Sequence, residues 1–357
     1  MKLNSLTNKQ KLVLYGLNKY PTANNKELSA LLKLSESTVA TIRSRLLKEQ
    51  YFYPLNIPML NRFGCELLGI IITQYNSLIP YEKRKNAIQD SIGISEETFL
   101  SIEERDYGVS LSISKNYTDF ISFNESRTEK LGRLGLIDEY YPELIIFPLH
   151  TSKIRRFFDY WRLIESNFSI NQNLIESAKN EWFVPGENAQ MNEKERKVFV
   201  ALIENPIATL QTIGDWVGLS RYTISRMKKK FFDKGWLNKL LMPNLLKLDL
   251  NILVVYHIKF NVKTILKEED INFLDSKFSL FFAYSKLKAV IISAYENYNE
   301  YKEDMRQKFI FLKENNIAIN MPLIKDISVE RMEIIRGFIF GPFLRRILDV
   351  ELPVYSE

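Results

Sequence analysis

The chain has 357 residues, 46% of them hydrophobic and 13% aromatic, which is enough apolar material for about two to four compact domains and excludes a disordered chain. A formal net charge of +6 with 26% charged residues points to an acidic partner without naming it. A single cysteine, Cys65, and two histidines, His150 and His257, exclude an intrachain disulfide and leave little material for metal clusters or histidine catalysis, so no metal and no cofactor is expected.

The opening residues, MKLNSLTNKQKL, carry no signal-peptide core, and no apolar run has the length of a membrane span; a cytoplasmic protein without membrane contact is expected. Leu12, Leu14, Tyr15 and Leu17 predict a helix over residues 8–19, capped by Thr7 and closed by Pro21. Asn24 or Asn25 caps a short helix over Lys26–Leu32, and Lys33-Leu34 makes a turn. Ser35 then caps a third helix whose stripe of Val39, Ile42 and Leu46 turns Ser37, Thr38, Thr41, Ser44, Arg45 and Lys48 outward. Downstream, alternation predicts a strand over Leu67–Tyr75, a helix over Tyr81–Ile92, and a hairpin of Thr98–Glu103 and Tyr107–Ser114. A helix over Tyr117–Leu131, a strand over Tyr140–Pro148 and an aromatic, basic helix over Ile154–Ile164 follow. Glu96-Glu97 and Glu103-Glu104 read as surface charges of the hairpin, and His150 as a structural residue at a strand end.

A displacement of 185 positions then brings the chain back onto itself: Lys9 meets Lys194, Leu17 meets Leu202, Pro21 meets Pro206, Leu34-Ser35 meets Leu219-Ser220, and Pro58 meets Pro243. Three helices recur over Glu193–Asn205, Leu210–Val217 and Arg221–Lys234, with Gly218 in the turn, Ser220 as cap and Gly235 as stop. The outward set here is Arg221, Tyr222, Thr223, Ser225, Arg226, Lys229 and Lys230, and Trp216 reads as core. After a displacement of 181, Asn116-Tyr117 matches Asn297-Tyr298. The second half reads as strand Ile252–Phe260 with His257 inside it, helix Ile265–Leu274, strands Ser279–Tyr284 and Ala289–Ala294, helix Tyr298–Asn315, strand Ala318–Ile324 and helix Met332–Leu348. Residues 1–60 and 191–240 carry net charges of +6 and +5, so positive charge is concentrated on the helical segments.

Glu27-Leu28-Ser29, Leu34 through Val39, and Arg43 through Glu49 resemble the helix-turn-helix signature of the Lrp/AsnC regulators, a prokaryotic family, and Gly218 through Ile224 with Gly235-Trp236-Leu237 is similar to it. The resemblance implies an α+β chain of two winged helix-turn-helix domains, 1–60 and 191–245, alternating with two ferredoxin-like βαββαβ domains, 61–165 and 246–357, across a linker over 166–190. It implies a non-enzymatic transcription regulator whose helices 36–49 and 221–234 read double-stranded DNA through Ser37, Thr38, Thr41, Arg45, Lys48, Arg221, Tyr222, Thr223, Arg226, Lys229 and Lys230. The same plan implies a homodimer or higher oligomer and a small effector, although the family's glycine-containing effector loop is not visible at Glu103–Tyr107 or Tyr284–Leu287. Two alternatives stand beside it: a protein-interaction scaffold, and a fused siroheme-decarboxylase-like enzyme, which resembles a duplicated Lrp/AsnC protein and uses histidine and arginine near a tetrapyrrole.

Overall fold

The computed structural model describes residues 6–93, 95–137, 141–170 and 182–353. Its elements run, in chain order, α1 Asn8–Lys19, α2 Asn25–Leu32, α3 Glu36–Lys48, β1 Phe52–Pro58, β2 Leu67–Gln74, α4 Tyr81–Gly93, β3 Thr98–Glu103, β4 Tyr107–Ser114, α5 Tyr117–Arg133, β5 Glu143–Pro148, β6 Lys153–Arg156 and α6 Trp161–Asn167. The second half continues with α7 Glu193–Glu204, α8 Leu210–Val217, α9 Arg221–Asp233, β7 Leu237–Pro243, β8 Ile252–Lys259, α10 Glu268–Leu274, β9 Ser279–Tyr284, β10 Lys288–Tyr295, α11 Tyr298–Glu314, β11 Leu323–Ser328, β12 Glu333–Gly337 and α12 Gly341–Leu348. The architecture is α+β, and no helix among the described residues is long and apolar enough to cross a membrane.

The chain divides into two compact units, and each draws on both halves of the sequence. Unit 1 comprises residues 1–54, 152–182 and 239–330. In it α1, α2 and α3 close around Val13, Leu17, Leu28, Val39 and Leu46, all fully buried. Its antiparallel sheet has the order β11-β8-β10-β9-β6, so four strands of the second half receive an edge strand from the first. Unit 2 comprises residues 55–151, 183–238 and 331–357 and mirrors this plan. There α7, α8 and α9 close around Val198, Leu202, Ile213, Ile224 and Phe231, and the sheet order is β12-β3-β4-β2-β5.

The edge strands correct the expected helices over Ile154–Ile164 and Met332–Leu348. Lys153–Arg156 and Glu333–Gly337 are instead strands on β9 and β3, because backbone pairing and side-chain ties hold them extended. Arg155 and Arg156 each donate from Nε to Asp275, at 2.8 and 2.6 Å, and Arg336 donates to the Thr98 carbonyl at 2.9 Å. Phe158 and Phe338 then adopt left-handed φ values of 53° and 55°, so helix formation starts only at Trp161 and Gly341. The strand expected over Ala318–Ile324 also differs: β11 starts at Leu323, since Pro322 just before it lacks an N–H and Ala318 makes only an isolated bridge to Phe260. Tyr140, and residues 171–181 of the expected linker, lie outside the described residues.

Candidate functional site

The exposed faces of α3 and α9 are the first candidate. Ser35 and Ser220 cap them by accepting from the backbone N–H of Thr38 and Thr223, at 3.1 and 3.3 Å. That role leaves Thr38 and Thr223 half-buried, with their hydroxyls against the cap serines. Ser37, Thr41, Ser44, Arg45 and Lys48 face solvent on α3, beside an open surface depression lined by Thr41, Ser44, Arg45 and Lys48. On α9 Arg221, Tyr222, Ser225, Arg226 and Lys229 are exposed, Tyr222 at 76%. Two of the expected cations are paired within their helices, Arg45 with Glu49 and Lys229 with Asp233, each at 2.7 Å and open to water, where such pairs hold weakly. Lys230 points elsewhere: it is half-buried over the Trp236 ring and meets Glu195 at 2.5 Å, drawn there by a carboxylate that also caps α7. Trp216, expected in the core, is half-buried.

The second candidate lies inside unit 2, where sequence reasoning placed only surface charge. Glu103 is 1% exposed and Glu104 9%, and Glu97 is buried too, donated to by the Ser114 hydroxyl and Arg346. Strand alternation explains the correction: the register Ser101↔Ser110 and Glu103↔Gly108 puts Glu103 on the face that α4 and α5 cover. That face carries Thr73, Tyr75, Ser101, Glu103, Ser110 and Ser112, all buried. From the helices come Arg84 on α4, 1% exposed, and Arg127 on α5, 5% exposed. Tyr75 donates to Glu103 Oε1 at 2.6 Å, and the Arg84 guanidinium lies 5.4 Å from the Tyr75 ring centre while donating to the carbonyls of Asn76 and Arg105.

Burial pushes the Glu103 carboxyl up to about 7, against the opposing pull of the Tyr75 hydroxyl, Arg127 and Arg84. Burial likewise holds the Tyr75 hydroxyl well above the ordinary tyrosine range, helped by Glu103, and lowers the Arg84 guanidinium. Five polar atoms of this layer are buried without a hydrogen-bond partner: Thr73 Oγ1, Arg84 Nε, Glu103 Oε2, Ser112 Oγ and Arg127 Nε. Each such atom costs about 1–3 kcal/mol in a closed core, which singles the layer out from ordinary packing.

Unit 1 shows how the same face closes. At positions displaced by 181 or 185 it has Ile258 for Thr73, Phe282 for Ser101, Tyr284 for Glu103, Ile291 for Ser110 and Lys308 for Arg127. Lys308, 2% exposed, is paired with Asp304 and donates to the Ser276 hydroxyl at 3.0 Å, while Tyr295 donates to Asp304 at 2.6 Å and shares a hydrogen bond with Tyr256 at 2.9 Å. On that face Lys308 and Asp304 have partners, and Ser279 Oγ and Ser293 Oγ, opposite each other in the register, are bare hydroxyls. His257 lies buried within β8, and His150 is exposed in the turn after β5.

No family model matches the sequence, and no curated protein matches it. Solved structures do match. Siroheme decarboxylase NirDL aligns with 96% of this chain and 99% of its own at 8% identity and a TM-score of 0.51, and its co-complex with an iron-uroporphyrin III analogue aligns over the same shares at 0.50. Over that span this chain is similar in fold to that enzyme. The transcriptional regulator NMB0573 from Neisseria meningitidis, solved with L-Met, aligns with 39% of this chain and 90% of its own at 12% identity and a TM-score of 0.33. PF0864 from Pyrococcus furiosus, a member of the AsnC family, aligns with 40% and 89% at 19% identity and 0.30. The expectation of a non-enzymatic protein is therefore corrected: the fold that matches over 96% of this chain is one that an enzyme uses.

Proposed function

We propose that this chain is an enzyme that decarboxylates a carboxylate-bearing tetrapyrrole of the siroheme class. The observation that carries the reading is the match to siroheme decarboxylase NirDL over 96% of this chain and 99% of that one. The side chains of unit 2 fit such a substrate. Breaking a carbon–carboxylate bond releases CO2 and leaves the bonding electron pair on carbon, which must take up one proton. The reaction therefore asks for cations that hold a carboxylate and for an acid that keeps its proton near neutral pH. Arg84 and Arg127 bring guanidinium groups with bare Nε atoms, and would hold the carboxylate. Glu103, still protonated up to about pH 7 and hydrogen-bonded to Tyr75, would deliver the proton. Neither His150 nor His257 is given a part. The test is to incubate the protein with siroheme without air and follow products by mass spectrometry. Stepwise loss of CO2 supports the reading; unaltered siroheme together with an unchanged Soret band overturns it.

A second reading is favoured by one separate observation, the exposed cationic face of α9 with Arg221, Tyr222, Ser225, Arg226 and Lys229. In it α1 to α3 and α7 to α9 are winged helix-turn-helix modules within residues 1–60 and 191–245, the remaining segments are ferredoxin-like domains that assemble the protein in the cytoplasm, and α3 and α9 enter the major groove of double-stranded DNA. A sequence-selective footprint on promoter fragments supports this; retention that is uniform across sequences and vanishes with salt argues against it.

A further inference from the structure

We propose that ligand binding belongs to one half of the duplication only: the polar layer of unit 2 takes a single carboxylate group against Arg84 and Arg127, and its counterpart in unit 1 is a closed packing copy. The proposal rests on the enzyme reading for what molecule carries the carboxylate, and not for the existence of the site.

Three observations support it. First, the bare atoms form a matched set: the Nε atoms of Arg84 and Arg127 and the hydroxyls of Thr73 and Ser112 all donate, and Glu103 Oε2 donates while the group is protonated. A carboxylate accepts several such bonds, whereas a cation would meet two guanidinium groups. Second, these side chains are held within one layer, Tyr75 linking Glu103 to the ring face under Arg84. Third, the fold does not require them. Unit 1 covers the equivalent face with Ile258, Phe282, Tyr284 and Ile291 and gives Lys308, the counterpart of Arg127, a carboxylate partner in Asp304. Position 304 corresponds to Phe123, so the acid near Arg127 in unit 2 is Glu103 of β3, itself tied to Tyr75, and the Arg127 Nε stays bare. A carboxylate supplied from outside would take up that remaining donor.

The test is isothermal titration with acetate and, separately, with iron-uroporphyrin III, alongside amide shift mapping by NMR. We expect one equivalent per chain in each case, mutual competition, and shifts confined to β2, β3, β4, α4 and α5. Arg127→Gln should weaken both ligands about tenfold or more, the value of one lost charge-assisted hydrogen bond. Arg127→Lys keeps the charge and the size found at position 308 of unit 1, and should fold while binding several-fold more weakly. Lys308→Met should leave both affinities within about twofold. Two equivalents per chain, shifts on β8 and β10, no acetate binding by the folded wild type, or full affinity in folded Arg127→Gln would each overturn the proposal. The two readings fail separately: one-site acetate binding without siroheme turnover removes the enzyme and keeps the site, and turnover that Arg127→Gln leaves intact does the reverse.

Discussion

Replacing Glu103 by Gln tests the environment of the layer without emptying it, because Gln keeps the oxygen that Tyr75 donates to at 2.6 Å. The Glu103 carboxyl sits at about 7 in the folded protein against 4.5 for an unperturbed glutamate, chiefly through burial. Below pH 4.5 both states hold the proton and the group makes no difference to stability. Between 4.5 and about 7 the unfolded chain has lost the proton while the folded chain keeps it, so wild-type stability falls as pH rises through this window. At about 1.4 kcal/mol per pH unit, the full loss is on the order of 3 kcal/mol, complete just above pH 7. Gln does not titrate. We therefore expect Glu103→Gln to match wild type near pH 4.5 and to exceed it by on the order of 3 kcal/mol at pH 8. Urea unfolding at closely spaced pH values, read by mass-resolved hydrogen exchange in the β3 and β4 peptides, follows unit 2 by itself. A variant that is less stable than wild type at pH 8 would refute the reasoning, since it would mean that the ionised carboxylate is held favourably by Arg84 and Arg127.

Three further outcomes are expected. Lys33 and Gln50 sit at left-handed φ values of 54°, where the second copy has Gly218 and Gly235; Lys33→Gly and Gln50→Gly should each raise the stability of α1 to α3 by about 1 kcal/mol, measured by urea unfolding. A side chain at Gly69 would meet the Phe120 ring at 2.2 Å, so Gly69→Ala should lower the stability of unit 2 by about 1–3 kcal/mol, an effect absent if Phe120 moves aside freely. If α9 contacts DNA, Arg226→Ala with Lys229→Ala should reduce the slope of log affinity against log salt by about 2, whereas Lys230→Ala should leave the slope unchanged because Lys230 is engaged by Glu195.

The helices and the hairpins were legible because their signals are local. Thr7, Asn24, Ser35, Asn192 and Ser220 each cap the helix that the spacing of apolar residues predicts, and the strand Ser279–Tyr284 has the bounds that alternation implies. What was not legible depends on partners remote in sequence. Arg155-Arg156-Phe157-Phe158 has the composition of an amphipathic helix, and only the β9 edge with Asp275, more than a hundred residues away, makes it a strand. Glu103 looked like hairpin charge because its neighbours Glu104 and Arg105 are charged; its burial under α5 follows from a register that no single strand announces. One signal was available: the duplication itself. Wherever the copies differ between serine and a large apolar residue, as at Ser101 against Phe282 and Ser110 against Ile291, the two halves cannot have the same interior.

The most direct test of the central claim is a single-turnover reaction with siroheme, comparing wild type with Glu103→Gln. We expect CO2 loss by the wild type and a marked slowing by the variant despite its greater stability at neutral pH. Absence of any CO2 release from a wild-type protein that binds the tetrapyrrole would contradict it.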